Sequence, residues 1–180
     1  MSMYSAKDLA RSFRLVRSNT LEIAREIPEE HYSFVAAPGV KSLGGLLTHI
    51  AVGPWFQLDC HMSGVTDLQT VNFPALMQKL GAEEAKPRTK ADVIAFLESE
   101  GERFATWVEG LSDEFLAQQV TMMPGSTPTT KTRFEMLLSP KEHEMHHRGQ
   151  VMLMQRMLGM TPPLTRAFQA RMAARAAQQK

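Results

Sequence analysis

A chain of 180 residues is long enough for one domain with a substantial core. Its 20 lysines and arginines nearly balance 19 aspartates and glutamates, so no net field draws nucleic acid or an anionic membrane. One cysteine, Cys60, excludes an internal disulfide framework, and there is neither an apolar signal core at the N-terminus nor a bilayer-length apolar run, so a cytoplasmic protein is expected.

The first helical pattern begins at Ser5, with Leu9, Phe13, Val16, Ile23 and Ile27 forming one apolar stripe, and Pro28 ends it. Ser42 caps a second segment that reaches about Met62 and carries Leu43, Leu46, Leu47, Ile50, Phe56 and Leu58. Thr89 opens a third, with Ile94, Leu97, Phe104, Val108 and Leu111 on one face. The fourth starts at Pro140, or near Arg133 with a kink, and runs to Leu158, where Gly159 stops it. Ser139, Pro140 and Glu142 would form a capping box at the later of these starts, setting the histidines that follow near the positive end of the helix dipole. After Pro162 and Pro163, the tail 164–180 has Leu164, Phe168 and Met172 at helical spacing among arginines, either a short packed helix or a dimer arm. Strand signals are weak throughout, and the thirteen methionines suit helical packing as flexible filler.

These patterns predict a single all-α domain over 1–180, a four-helix bundle. The connections 63–88 and 112–132 are long, and a long crossover lets consecutive helices run parallel. An up-down-down-up order follows, with the crossover between the second and third helices.

Chemistry concentrates in the run 142–150, EHEMHHRGQ. His143 and His147 stand at i and i+4 on one helical face, a spacing at which two imidazoles can grip one metal ion. Catalytic zinc commonly takes three protein ligands and leaves one position open. His49 is the best third: Gly45 and Gly53 flank it at i−4 and i+4, each costing about 1 kcal/mol relative to alanine inside a helix, so space beside the ring is expected. Pro54 removes the hydrogen bond that the Ile50 carbonyl would accept, again beside His49. With the second and fourth helices antiparallel, His49 comes level with the His143/His147 pair. His31, in a loop, and His61, pointing about 120° away from His49, are second choices.

The histidine in LLTH(49)I, the HxxxHRGQ from His143 to Gln150, and Leu158, Gly159 and Pro162 beyond it together resemble the DinB/YfiT-like superfamily. The resemblance covers most of 42–163, and its specific part is the C-terminal motif; Gly53-Pro54 departs from the usual pattern. It implies a homodimeric four-helix bundle that holds a divalent metal through His49, His143 and His147. Zinc is the first expectation, then nickel or iron, since imidazole suits all three.

A three-histidine centre with an open position lowers the pKa of a bound water or stabilises a thiolate, so it points to hydrolysis or to transfer of a low-molecular-weight thiol to a small electrophile. The family resemblance tilts the choice to a thiol S-transferase-like reaction. A non-catalytic, stress-related metal-binding bundle is the rival. Among the neighbours, His146 could replace His147 as a ligand but reads first as exposed or at an interface. Gly149 reads as a close helix contact, and Gln150 as a hydrogen-bond partner of the site or plain packing. Glu142 reads as a cap, while Glu144 faces away from the histidines. Glu100 is a solvated carboxylate or a partner for a histidine, Trp55 and Trp107 are core, and Cys60 is an inert buried thiol.

Overall fold

A computed structural model of the chain describes residues 4–178, so the last two residues of the expected arm lie outside the described residues. Helix α1 spans Ala6–Glu26, closed at its start by a capping box between Ser5 and Asp8. The second bundle helix comes in two pieces, α2 (Leu43–Val52) and α3 (Trp55–Met62), divided at Gly53-Pro54. Helix α4 (Phe73–Glu84) follows, then α5 (Lys90–Glu109), capped by Thr89 and Asp92. A short α6 (Asp113–Ala117) and a two-stranded antiparallel hairpin, β1 (Gln119–Thr121) with β2 (Thr130–Thr132), lead into α7 (Arg133–Met157). Leu158 caps α7 and Gly159 takes φ +78°, the left-handed turn that only glycine adopts cheaply. Helix α8 (Pro163–Gln178) ends the described chain.

Side-chain pairings give the directions. Arg14 meets Glu102 and Lys90 meets the Arg25 carbonyl, so α1 and α5 are antiparallel. Ser12 meets Lys141 and Glu26 meets Arg166, so α1 and α7 run the same way. His49 meets His143, and His61 meets Arg133, so α2–α3 opposes α7. The order is up-down-down-up, and the crossover lies between the second and third bundle helices as expected.

Apolar packing forms three clusters, one of them made of Cys60, Leu68, Leu76, Val120 and Met136. Of the other two, one gathers Ile23, Ile27, Leu43, Leu47, Leu97 and Val151; the other holds Leu9, Phe13, Leu58, Phe104, Val108 and Leu137. Between them Arg17 and Glu144 are paired, their side chains 5% and 1% exposed. Arg17 also donates to the Leu97 carbonyl and, at 3.3 Å, to the Ile50 carbonyl that Pro54 leaves without a helical donor. One guanidinium thus ties α1, α2, α5 and α7 together. Gly101 exists for this group: a Cβ there would stand 2.9 Å from Arg17.

The fourth helix takes the earlier of its two expected starts, Arg133, with Thr132 and Glu135 as its capping box and Pro140 inside it. Several other expectations need correction. Ser139 and Glu142 therefore cap nothing, and His143 and His147 lie beyond the first turn, where the dipole effect has faded. The connection 63–88 contains α4, whose Asn72 cap, Pro74 and apolar Phe73, Leu76, Met77 and Leu80 form a helical pattern. Gly149 packs against nothing within 4 Å. Trp55 and Trp107 are half-buried rather than core, and Phe168 and Met172 on α8 are exposed. No helix among the described residues is long and apolar enough to cross a membrane.

Candidate metal centre

His49 projects from α2, and His143 and His147 project from α7. The three ring centroids are 4.8, 4.7 and 4.4 Å apart, and one nitrogen from each ring lies within 4.8 Å of the other two. No other group of three histidines, cysteines or carboxylates converges in this way among the described residues. His31, His61 and His146 stand outside the cluster, as does Glu100.

Hydrogen bonds decide which nitrogen faces inward. His49 Nδ1 meets a Glu84 carboxylate oxygen at 2.6 Å; the carboxylate only accepts, so Nδ1 carries the proton and Nε2 keeps its lone pair. His147 Nδ1 donates to Gln150 Oε1 at 2.8 Å, leaving Nε2 likewise free, and Gln150 thus takes the supporting role its place in the motif suggested. His143 Nε2 and His49 Nε2 are 3.0 Å apart. His49 and His147 thus each turn an Nε2 lone pair inward with Nδ1 held by a fixed partner, and with the His143 ring beside them they form the donor set that a borderline divalent cation takes.

Electrostatics keep the rings of His143 and His147 neutral. Burial, then the neighbouring imidazoles of His147 and His49, push the His143 pKa down to about 4. Burial also lowers that of His147, against the hydrogen bond that His147 donates to Gln150, which works to raise it. Burial works to raise the Glu84 pKa, but hydrogen bonds from Lys41 at 2.5 Å and from His49 hold it below the ordinary carboxylate value. Neutral imidazole beside an ionised carboxylate is the protonation state that metal binding needs.

The glycines divide. A Cβ on Gly53 would lie 2.8 Å from His143 Nδ1, so Gly53 does make room for the site. Gly45 does not: a Cβ there would meet the Ser42 capping hydroxyl at 3.1 Å. Glu84 is the functional residue that sequence reasoning missed, because it belongs to the overlooked α4. Glu100 is neither solvated nor near a histidine; its side chain, 14% exposed, accepts from Trp55 Nε1 at 2.6 Å and from Arg103. Cys60 is buried, and burial pushes its thiol pKa up, in keeping with an inert thiol.

A four-helix bundle in up-down-down-up order, carrying three convergent histidines between its second and fourth helices, defines the class. The profile of the DinB family matches residues 1–180, and the chain belongs to that family. Among solved structures it is similar to the DinB-like protein YjoA of Bacillus subtilis, with 23% identity, TM-score 0.63, and 85% of this chain and 93% of that one covered. It is also similar to YfiT of Bacillus subtilis, with 12% identity, TM-score 0.65, and coverage of 89% and 91%; that protein is described as a probable metal-dependent hydrolase with an unusual four-helix bundle topology. A conserved protein of Enterococcus faecalis aligns with 16% identity, TM-score 0.62 and coverage of 86% and 97%. At these identities the likeness concerns the fold. No curated protein matches the chain at a significant level.

Proposed function

We propose that this protein is a divalent-metal-dependent enzyme whose ion is held by His49, His143 and His147, and that it transfers a low-molecular-weight thiol to a small electrophile. The carrying observation is the convergence of three imidazole nitrogens from two helices, with Glu84 and Gln150 fixing the outward nitrogens of two rings. Zinc is the first choice of ion, then nickel or iron. Such an ion, with one position open, lowers the pKa of a coordinated thiol or water.

The chain's own residues favour the thiol over water. Glu84 is the carboxylate beside the histidines, and its two oxygens are already taken by His49 and Lys41, so it is poorly placed as a general base. A thiol, with an ordinary pKa of about 8.5, needs far less help than water to lose its proton. In the reaction the sulfur forms a bond to the electrophilic carbon, the leaving group departs with its electron pair, and the thiol proton passes to solvent. Hydrolysis is the second reading, supported by the description of YfiT. A closed, stress-related metal site without catalysis is the rival.

Exposed apolar side chains along α7 (Met145, Leu153, Met157) and on α8 (Phe168, Met172) support a homodimer as the working form. A reducing cytoplasm suits the single buried cysteine.

Cobalt substitution is the test. An open site gives a visible spectrum that changes on adding a thiol, and conjugation of the thiol to a chloro-nitroarene then depends on the ion and stops with chelator. A cobalt spectrum indifferent to thiols, with no conjugation, overturns the enzymatic reading and leaves the closed site.

A further inference from the structure

A second buried polar cluster bridges the same helices, on the side of the metal centre away from His147. Arg133, 1% exposed, has no carboxylate partner among the described residues. Its guanidinium donates instead to Gln118 Oε1 at 2.9 Å and to His61 Nδ1 at 2.7 Å, and lies 4.6 Å over the Phe115 ring. Burying an uncompensated cation is costly, so the arrangement calls for a reason.

The chain of bonds beyond Arg133 has a fixed polarity. A guanidinium only donates, so His61 Nδ1 accepts and the proton of the neutral ring sits on Nε2. Burial, then Arg133, push the His61 pKa down to about 4, which keeps the ring neutral. His61 Nε2–H therefore donates to Gln57 Oε1 at 2.9 Å, and this orients the amide so that Gln57 Nε2 donates to Ser139 Oγ at 3.0 Å. The Ser139 oxygen is thus already an acceptor, and its own proton is left to give. Thr20 and Thr48, both buried on helices, spend that proton on the carbonyl four residues back, and a part-buried helical serine could do the same. Ser139 does not: among the described residues it has no acceptor.

Ser139 and Gln57 line a cavity of about 340 Å³ whose other walls include His49, His143, Phe56 and Leu80. The cavity has no lysine or arginine in its wall, and its one carboxylate is Glu84. An anionic group is therefore poorly matched there, whereas a neutral oxygen acceptor meets a hydroxyl donor in apolar surroundings.

We infer that this cavity is the substrate pocket, that the substrate carries an uncharged acceptor oxygen such as an ester or amide carbonyl on an apolar body, and that Ser139 donates to it. Arg133, His61 and Gln57 are positioning residues that keep Ser139 in the donor role. The inference rests on the metal-site reading above, since it sets the reacting group at the histidines and the acceptor at Ser139.

The experiment uses the full-length cobalt-loaded protein and two thiol probes of equal length, methyl 3-mercaptopropionate and 1-pentanethiol, titrated by the thiolate-to-cobalt charge-transfer band. The ratio of the two affinities cancels whatever both thiols gain from the ion. A neutral hydrogen bond is worth about 1 kcal/mol, so Ser139→Ala is expected to cut the ester-to-alkane ratio by about fivefold. Gln57→Glu keeps the shape but replaces the donor by an acceptor that draws the Ser139 proton away from the cavity, and it should cut the ratio equally with Ser139 intact. Cobalt stoichiometry should match wild type in both variants. A ratio unchanged within twofold in either variant overturns the inference while the metal reading stands. Failure of the wild-type protein to take up cobalt or to give the thiolate band overturns both.

Discussion

Two histidines on the second bundle helix face α7, and the structure treats them in opposite ways. His49 has one nitrogen tied to Glu84 and the other turned toward two more imidazoles beside an open cavity. His61, 2% exposed, has both nitrogens consumed by protein partners, Arg133 and Gln57, with Trp107 stacked 6.4 Å away. The same residue type, on the same element, opposite the same helix, is a candidate ligand in one place and a link in a closed network in the other. The difference lies in the partners. An acceptor on one side leaves a lone pair to offer on the other, while a donor on one side and an acceptor on the other leave nothing for an ion.

That contrast can be broken or sharpened by substitution. The largest effect should come from Arg17, which holds the backbone beside His49 and the carboxylate beside His143. Arg17→Ala strands Glu144 in the interior and is expected to cost about 3–5 kcal/mol in urea unfolding, whereas a paired Arg17→Met, Glu144→Leu change should recover most of it. Glu84→Ala frees the His49 ring without removing it and should weaken metal binding by about 10- to 100-fold in a competitive chelator titration, with little change in stability.

His61 makes a prediction of its own. The folded ring binds a proton only below about pH 4, while the unfolded chain titrates near 6.5. Between these values the unfolded state holds more protons, so stability rises with pH across that window and is lost as acid is added, levelling off below about pH 4. The loss should be about 3 kcal/mol, and His61→Gln, measured in chelator against wild type, should flatten it. His143 adds to the slope in the same direction. The smallest effect should be that of His146→Ala: its exposed ring touches the Gln150 amide and the edge of His147 but stands outside the converging trio, so metal stoichiometry should stay at the wild-type value.

Much of this was legible in the sequence because it is local. The helical stripes of α1 and α5, their Ser5 and Thr89 caps, the Gly159 stop and the i, i+4 histidines are all written within one or two turns. The convergence of His49 with His143 and His147 followed from helix direction, itself read from connection length. What escaped was long-range or polar. Glu84 reaches His49 from a helix hidden in a supposed linker, although Asn72, Pro74 and the spacing of Phe73, Leu76, Met77 and Leu80 announce that helix. Arg17 and Glu144 interrupt otherwise apolar stripes on α1 and α7, a signal that two buried charges meet, but neither stripe alone names the partner. The Ser139-Pro140-Glu142 box is a correct local pattern overridden by a stronger cap at Thr132, whose helix runs through the proline.

Metal analysis of the purified protein, with each histidine replaced in turn, bears most directly on the account. It predicts one divalent ion per chain in the wild type, retained in His31→Ala and lost in His49→Ala, His143→Ala and His147→Ala. A wild-type protein without stoichiometric metal, or a His49→Ala variant that keeps its ion at undiminished affinity, would contradict it.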